Sequence, residues 1–319
     1  MIQTVTGELK PEHLGRCYAH EHVIMDASYA TQIFPEQCLN SVENAVKELE
    51  MFRDLGGSAM VEATPCGIGR NIRKLVEISQ RSGVRIIAST GLHLDKYYSP
   101  GHWSRFYSQE ELVELFVADI EDGIDFYDYA GPLIKRSTAK AGMIKVASGL
   151  NQLTPREREI FRAAAAAHRR TGCPMIAHTE QGTAADEQIY LLKNEGVELS
   201  RVMLCHLDRK PDLELHRSLL KKGVTLEYDS AFRWKGREDN PTLELLKVLV
   251  HEFPDQLVLG MDAARHAYWK YYGGAPGLGY LLSEFKELMS DAGLGELFID
   301  KLFVKNPARI LNFGERIFM

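Results

Sequence analysis

Six side chains that can ligate metal ions fall at the ends of short apolar runs along this chain. They are four histidines, a lysine and an aspartate: His20, His22, Lys145, His178, His206 and Asp262. Neutral imidazole and carboxylate are ligands that zinc, iron, cobalt or nickel accept in proteins. One such histidine would mean little, whereas six candidates at corresponding places on five predicted strands indicate a metal centre.

The His20-x-His22 pair has its own geometric argument. Residues two apart on a strand point to the same side, so both imidazoles are expected inside the sheet, where an unliganded pair would be costly to bury. For this pair alone, one histidine hydrogen-bonded in the core and the other solvated would be the simpler interpretation. His178 and His206 weigh against it, because each ends an apolar strand of its own.

Lys145 lies in the apolar run 142–147, where a charged amine is costly to bury unless it is paired or modified. One alternative is an ion pair with Glu180 or Asp262, and another is a Schiff-base lysine. The surrounding histidines favour a third, in which CO2 carboxylates the neutral amine to an anionic ligand that bridges two cations. Asp262 also has a structural alternative, as the N-cap of a following helix.

The elements that would position these residues form a repeating pattern of short β-branched runs and helical stretches, which is typical of a parallel sheet. Strands are predicted near 16–23, 57–63, 85–90, 142–147, 174–178, 201–206, 223–228 and 257–261. Helices are predicted at Ser41 to Leu55, Asn71 to Ser82, Thr154 to Thr171 and Asp186 to Gly196. Eight strands fit a closed β/α barrel, which gathers catalytic side chains at the carboxyl ends of its strands.

One long interval, 91–141, interrupts this pattern and is rich in Tyr, Trp and acidic residues. We interpret it as a large loop followed by a helix over the catalytic face. With no linker, repeat or low-complexity segment, residues 1–319 are predicted to form a single domain.

Composition excludes several other classes of protein. With 38 basic and 44 acidic residues, the net charge of −6 gives no electrostatic case for nucleic acid or an anionic membrane as partner. No basic leader and no apolar run of membrane-spanning length is seen, so a cytoplasmic protein is expected. The five scattered cysteines suggest neither a disulfide framework nor a zinc ribbon, and reduced, mostly buried thiols are expected.

The ligand set resembles that of the amidohydrolase superfamily. Segments 62–71, 82–92, 205–212 and 305–309 resemble, in order, those of its phosphotriesterase-like branch, so the resemblance covers nearly the whole chain. It implies a (β/α)8 TIM barrel with two divalent metals, zinc first and manganese or cobalt as alternatives. The implied ligands are His20, His22 and Asp262 on one metal, His178 and His206 on the other, and carboxylated Lys145 with a hydroxide between them.

The same resemblance implies a mechanism for opening an ester or lactone. The two metals lower the pKa of the bridging water, and one of them polarises the carbonyl. Asp262 then accepts the proton of the attacking hydroxide and passes it to the leaving oxygen. His93, Tyr97 and Tyr98 follow the third predicted strand, where they either donate to the carbonyl oxygen or line the pocket.

The loops after the seventh and eighth predicted strands should choose the substrate, because barrel enzymes often bind phosphate there. Lys235, Arg265 and Tyr268 offer an ammonium, a guanidinium and a phenol, a set suited to a phosphate dianion. If a helix begins here, Arg265 and Tyr268 are neighbours on it. Arg233 and Arg237 are expected to be solvated surface charges.

The subgroup with this pattern resembles hydrolases of phosphorylated sugar lactones. The prediction is therefore a metal-dependent lactonase for an aldono-1,4-lactone 5-phosphate, with a small molecule as its partner. The alternatives are a lactonase or phosphotriesterase for an uncharged apolar substrate, a phosphatase, and a non-catalytic metal-binding scaffold. Oligomeric state is left open, with a homodimer as one candidate.

Overall fold

The computed structural model describes residues 1–235 and 239–316. An antiparallel hairpin, β1 (Ile2–Thr4) and β2 (Gly7–Leu9), precedes a parallel sheet whose strands pair in chain order. Its eight strands are β3 (Arg16–Glu21), β4 (Gly57–Glu62), β5 (Arg85–Gly91), β6 (Met143–Ser148), β7 (Met175–Thr179), β8 (Val202–Cys205), β9 (Thr225–Tyr228) and β10 (Leu257–Leu259). The Asp262 N–H donates to the His20 carbonyl at 3.0 Å, joining the last strand to the first. The predicted (β/α)8 TIM barrel is confirmed.

Helices follow the strands, and several begin and end at the predicted signals. The α-helices are α1 (Tyr29–Ile33), α2 (Val42–Asp54), α3 (Ile72–Ser82), α4 (Gln109–Glu121), α5 (Pro155–Thr171), α6 (Ala185–Asn194), α7 (Leu213–Leu220), α8 (Pro241–Glu252), α9 (Glu284–Asp291), α10 (Glu296–Asp300) and α11 (Asn306–Leu311). Thr154 and Glu157 form a capping box at the start of α5, and Gly172 ends that helix with φ 72°. The four predicted helices correspond to α2, α3, α5 and α6.

The long interval after β5 differs in part from its prediction. Two 3₁₀ turns, Asp95–Tyr97 and Trp103–Arg105, lead into α4, which packs against α5 and β5 on the outside of the barrel. The loop therefore reaches the catalytic face, but the helix does not lie over it. Its buried, apolar residues Leu112 and Phe116 belong to the layer between helices and strands, which explains its position.

The core has two layers that follow the alternation of the strands. In β6, Ile144 and Val146 belong to the cluster beneath the helices, whereas Met143 belongs to the cluster inside the barrel. Lys145 shares the inward face with Met143, because side chains two apart on a strand point the same way. The barrel interior is thus apolar below and carries chemically active residues above.

Irregular backbone turns three of the candidate ligands inward. Cys17 and Ala19 lie inside the barrel, so strict alternation would send His20 outward, but the pairing of β3 with β4 shifts register between Tyr18 and Glu21. His206 follows the inward-facing Cys205 and has φ 66°, and Asp262 has φ 46°. Left-handed backbone at non-glycine residues is costly and concentrates at functional sites.

The segment after β10 is fastened to helix α2 by Glu48. This fully buried carboxylate accepts the backbone N–H of Leu278 at 2.9 Å and of Tyr271 at 3.1 Å. The Tyr272 hydroxyl accepts the N–H of Ser41 at 2.8 Å, just before the same helix. The 263–283 segment, whose own elements are short 3₁₀ turns, is therefore also held by side chains distant in sequence.

Within residues 1–235 and 239–316, none of the helices combines the length and apolar character needed to span a bilayer. All five cysteines are free thiols, and four of them are buried.

Candidate metal centre

The carboxyl ends of the barrel strands enclose a polar cavity of roughly 200 Å³. Its lining includes His20, His22, Gln37, His93, Lys96, Tyr97, His178, Glu180, His206, Arg209, Arg233, Asp262, Arg265 and Tyr268. Five of the six predicted ligands are among these residues, and the sixth, Lys145, lies beneath them in contact with His20. The structure therefore brings the predicted ligand set together.

His20, His22 and Asp262 form the first group of converging donors. Asp262 Oδ1 lies 3.3 Å from His22 Nε2 and 3.8 Å from His20 Nε2. The other ring nitrogens have separate partners: His20 Nδ1 lies 3.3 Å from Glu227 Oε2, and His22 Nδ1 lies 2.8 Å from Thr64 Oγ1. Partners of this kind fix ring orientation and direct the free nitrogen to a metal.

His178 and His206 form the second group, with ring centroids 4.5 Å apart. His206 Nδ1 is hydrogen-bonded to Asp229, and His178 Nε2 lies 3.4 Å from Glu180 Oε2. Within residues 1–235 and 239–316, these contacts leave Nε2 of His206 and Nδ1 of His178 without a hydrogen-bond partner. Each histidine keeps one nitrogen available for a ligand bond.

Burial keeps three of the candidate histidines, His20, His178 and His206, in the neutral state that metals require. It lowers the pKa of His178 to about 3, with the neighbouring His206 adding to the effect. Burial and Lys145 hold the pKa of His20 well below its usual range, and burial and Arg209 lower that of His206. Near neutral pH these rings are uncharged, which is the form that coordinates a metal.

Lys145 tests how well the site fits a bridging group. Its side chain is fully buried, and its Nζ lies 3.4 Å from His20 Nε2. Within the described residues, no carboxylate lies within ion-pair distance of this amine: Glu180 contacts Lys96 and His178, and Asp262 contacts arginines and histidines. The predicted alternative of an ion pair with Glu180 or Asp262 is therefore wrong. A buried amine facing imidazoles fits carboxylation and two cations.

Two buried carboxylates of this site were missed in the sequence. Glu227, at the end of β9, and Asp229, just after it, can join His20 and His206 in one group of donors. Burial and Asp229 hold the pKa of Glu227 well above its usual range. For Asp229, burial acts in the same direction, but Arg209 and His206 outweigh it and lower its pKa. Two acidic residues two apart at a strand end were a signal that could have revealed them.

The Asp262 carboxylate faces both the histidines and two arginines. Its Oδ2 accepts from Arg209 at 2.5 Å and from Arg233 at 3.1 Å. Burial would raise the pKa of Asp262, but His22, Arg209 and the other histidines hold it well below its usual range. Asp262 is therefore ionised at neutral pH. It caps no helix, so its structural alternative does not apply.

The predicted phosphate residues are only partly brought together. Arg265 and Tyr268 line the cavity around a short 3₁₀ turn, His266–Tyr268, rather than a longer helix. Lys235 lies outside the cavity lining, with its Nζ 2.6 Å from Glu284 Oε2. The expectation that Lys235 belongs to the site is not met.

Arg233 takes the place expected for Lys235. Its guanidinium donates to the Tyr268 hydroxyl at 2.9 Å and lies 4.7 Å from the Phe232 ring. The expectation of a solvated surface charge at Arg233 was wrong, because these aromatic rings hold the side chain against the cavity. Arg237, for which the same was expected, lies outside the described residues.

Of the three predicted pocket residues after β5, two line the cavity and one lies behind it. His93 and Tyr97 line the cavity, whereas Tyr98 is buried behind it and donates to the Cys66 carbonyl at 3.1 Å. His93 Nδ1 accepts the Leu94 N–H at 2.7 Å, so the proton of the neutral ring lies on Nε2. Burial and His178 hold the pKa of His93 well below its usual range, which leaves this ring a neutral donor.

Comparison with known proteins agrees with this geometry. The model of the phosphotriesterase family matches residues 1–311. A phospho-furanose lactonase of Mycoplasmopsis synoviae (strain 53) is 34% identical, over 98% of this chain and 92% of its own.

Two solved structures have the same fold. A lactonase from Listeria monocytogenes has a TM-score of 0.90 at 30% identity and covers 98% of this chain and 99% of its own. The phosphotriesterase homology protein from Escherichia coli, solved with phosphate in its active site, has a TM-score of 0.85 at 27% identity. It covers 95% of this chain and 100% of its own. The chain belongs to the phosphotriesterase family.

Proposed function

We propose that this enzyme is a metal-dependent lactonase that opens an aldono-1,4-lactone 5-phosphate. The relative from Mycoplasmopsis synoviae is named a phospho-furanose lactonase, and the Listeria monocytogenes structure is that of a lactonase. One observation carries the phosphate part of the proposal: three arginines line a single small cavity beside the candidate metal ligands. They are Arg209, Arg233 and Arg265.

The proposed metal ligands are those predicted from the sequence. His20, His22 and Asp262 would hold one divalent cation, and His178 and His206 the second. Lys145, carboxylated by CO2, would bridge them. Zinc is our first candidate, with manganese and cobalt as alternatives, because nitrogen and oxygen donors accept all three. When bound, such a pair of cations lowers the pKa of water and polarises a carbonyl.

The residues of the chain itself would orient the lactone and move protons. We assign to His93 a hydrogen bond from Nε2–H to the carbonyl oxygen, since its other nitrogen is already used as an acceptor. Asp262 would take the proton released on attack and return it to the ring oxygen as that bond breaks. Its two arginine contacts weaken it as a base, so we expect the substrate phosphate to draw Arg233 away from it.

The phosphate would lie among Arg233, Arg265 and Tyr268. Arg233 and Tyr268 are already in contact at 2.9 Å. Among the residues that the structure describes, the nearest ion-pair partner of Arg265 is Glu36, at 3.9 Å. Guanidinium groups bind phosphate through paired, charge-assisted hydrogen bonds. Arg209 adds a further positive charge at the same cavity.

The alternatives fit the cavity less well. An uncharged apolar substrate would have to lie against a cavity lined mainly by charged and polar side chains, which is unfavourable for apolar groups. A phosphatase would need the phosphate at the metals, whereas Arg265 lies on the loop after the last strand and, among the described residues, pairs with Glu36 rather than with a candidate ligand. A non-catalytic scaffold would not require an ionised aspartate between the histidines and the arginines.

A pH-indicator screen of the enzyme loaded with zinc, manganese or cobalt would test this function. Five-carbon 1,4-lactone 5-phosphates should be hydrolysed at least about tenfold faster, in kcat/KM, than the same lactones without phosphate. Faster turnover of apolar lactones or of neutral phosphotriesters would replace our proposal with the apolar alternative. Failure to hydrolyse any ester or lactone would favour the scaffold.

Three broader assignments are also proposals. We propose that residues 1–319 act as a single hydrolase domain and that the enzyme is cytoplasmic, with a homodimer as one candidate for its oligomeric state. Limited proteolysis, cell fractionation and light scattering would test these three points in turn.

A further inference from the structure

Two hydrogen-bond acceptors in the cavity are neither candidate metal ligands nor proposed phosphate contacts. They are the Gln37 amide and the Glu180 carboxylate. The remaining lining outside the metal ligands consists of cations, phenols, apolar side chains and the His93 ring, whose free nitrogen is a donor. A ligand that brings O–H groups into this cavity can donate to an acceptor oxygen that these side chains leave open.

Gln37 is a buried amide whose hydrogen bond with the Tyr97 side chain leaves its carbonyl oxygen open. Its side chain is 8% exposed, and its Oε1 has no hydrogen bond within residues 1–235 and 239–316. It ends the 3₁₀ turn Pro35–Gln37, and the Phe34 ring beside it packs on Tyr97 with centroids 5.6 Å apart. An unsatisfied buried polar atom is costly, so a donor supplied by the ligand would recover this energy.

Among the described residues, Glu180 receives contacts at only one of its two side-chain oxygens. Its Oε2 receives Lys96 Nζ at 3.3 Å and lies 3.4 Å from His178 Nε2, whereas the described residues provide no donor to Oε1. It begins the turn Glu180–Gly182, in which Gln181 has φ 53°. The two contacts hold the carboxylate at the cavity, and the second oxygen is left for a ligand.

We propose that Gln37 and Glu180 form a hydroxyl-binding subsite that selects a lactone carrying free ring hydroxyls. This inference rests on the proposed function, because a pentono-1,4-lactone 5-phosphate in its dianionic form has only two hydrogen-bond donors, the hydroxyls on C2 and C3. Two acceptors therefore meet two donors. Sites that hydrogen-bond a substrate hydroxyl discriminate strongly against the analogue that lacks it.

Binding of compounds that cannot be hydrolysed tests the subsite separately from the reaction. The probes are a 1,4-anhydropentitol 5-phosphate, which lacks the lactone carbonyl, and its 2-deoxy and 3-deoxy forms. Calorimetry with the metal-loaded wild-type enzyme should show roughly 10- to 100-fold weaker binding of each deoxy form, as expected when a buried acceptor is left unpaired.

Three variants assign the preference to its residues. Gln37→Leu should abolish discrimination against one deoxy form, and Glu180→Met against the other. Glu180→Gln, which keeps an acceptor oxygen, should retain part of it. Ile68→Val is the matched control, because Ile68 lines the same cavity without a polar group, and it should leave both ratios within about twofold. Metal content is measured for each variant, since Glu180 contacts His178.

The outcomes separate the subsite from the function. Equal binding of hydroxylated and deoxy probes by the wild type would overturn the subsite, and so would variants that weaken all three probes alike. Tighter binding of an amino-substituted analogue than of the hydroxylated one would also overturn it, in favour of N–H donors. Failure of the wild type to hydrolyse any lactone would overturn the proposed function instead, while the binding ratios still decide the subsite.

Discussion

The floor and the rim of the cavity are built on different principles. We call the six candidate metal ligands the floor, and the rim is the group Lys96, Arg209, Arg233, Arg265 and Tyr268. Floor side chains such as Lys145 and His206 are almost fully buried, and the histidines are oriented by partners behind them. Rim side chains are partly exposed, Arg265 to 49%, and lie on loops. Changes in the floor should therefore stop all chemistry, whereas changes in the rim should alter the choice of substrate.

The largest effect is expected from Lys145→Met. This variant cannot be carboxylated, so most metal should be lost and hydrolysis of every lactone should fall to background. Metal analysis and intact-site density would check this, and a small carboxylate should partly rescue Lys145→Ala. If the wild-type site held two metals beside an unmodified Lys145 amine, Lys145 would have no bridging role. The strongest argument that the six floor residues act as one metal centre would then be lost.

Asp262→Asn should separate ligation from proton transfer. Asparagine keeps an oxygen ligand but cannot relay a proton, so metal content should largely survive while kcat falls by roughly 10²- to 10⁴-fold. Phosphorylated and unphosphorylated lactones should suffer equally, because the change lies in the floor. Parallel loss of metal and activity would leave Asp262 with the ligand role alone.

Arg265→Ala and Arg233→Ala should produce the opposite pattern. Removing a guanidinium from a bound phosphate should lower kcat/KM for a phosphorylated lactone by tens- to thousands-fold. Hydrolysis of the unphosphorylated lactone should change much less, particularly for Arg265, which does not touch Asp262. If both substrates lose equally in Arg265→Ala, the rim serves cavity shape and the comparison with the floor fails.

A smaller effect on metal affinity and activity is expected from a change to Asp229, which lies behind the floor. Asp229→Asn weakens the acceptor that orients His206, and changes of this kind typically lower metal affinity or activity by about 10- to 100-fold. Chelator competition would measure the affinity. Unchanged affinity would mean that strand geometry alone orients His206.

The smallest effect is expected from Lys235→Ala. Lys235 and Glu284 form an ion pair in which both side chains are about half exposed, and such pairs contribute little. The kcat/KM for a phosphorylated lactone should stay within about twofold of the wild type. A tenfold loss in steady-state kinetics would show that Lys235 turns into the rim when substrate binds, as the sequence pattern had suggested.

The sequence predicted the floor better than the rim for a physical reason. The carboxyl ends of the strands place side chains at one edge of a barrel, independently of the loop sequences. Lys145, His178 and the other candidate ligands could therefore be recognised from the apolar, strand-like segments in which they lie. The register shift in β3 and the left-handed backbone of His206 could not, although they complete the set. Both depend on contacts between strands rather than on local pattern.

In the rim, tertiary packing determines which cations face the cavity, and residue type alone could not predict this. Arg233 and Lys235 are two residues apart, yet aromatic rings draw one to the cavity and Glu284 draws the other away. Gln37 carried no signal at all, because an unpartnered amide oxygen is visible only once the surrounding side chains are in place.

The attachment of the 263–283 segment to Glu48 limits how substrate preference can be exchanged between relatives. A grafted segment bearing new phosphate or apolar contacts would leave the Glu48 carboxylate buried without its two backbone donors, unless the incoming chain offered N–H groups at the same places. The segment is thus not a separable module. Recombination that preserves activity should carry helix α2 together with it, and libraries that vary only the loop should yield many poorly folded members.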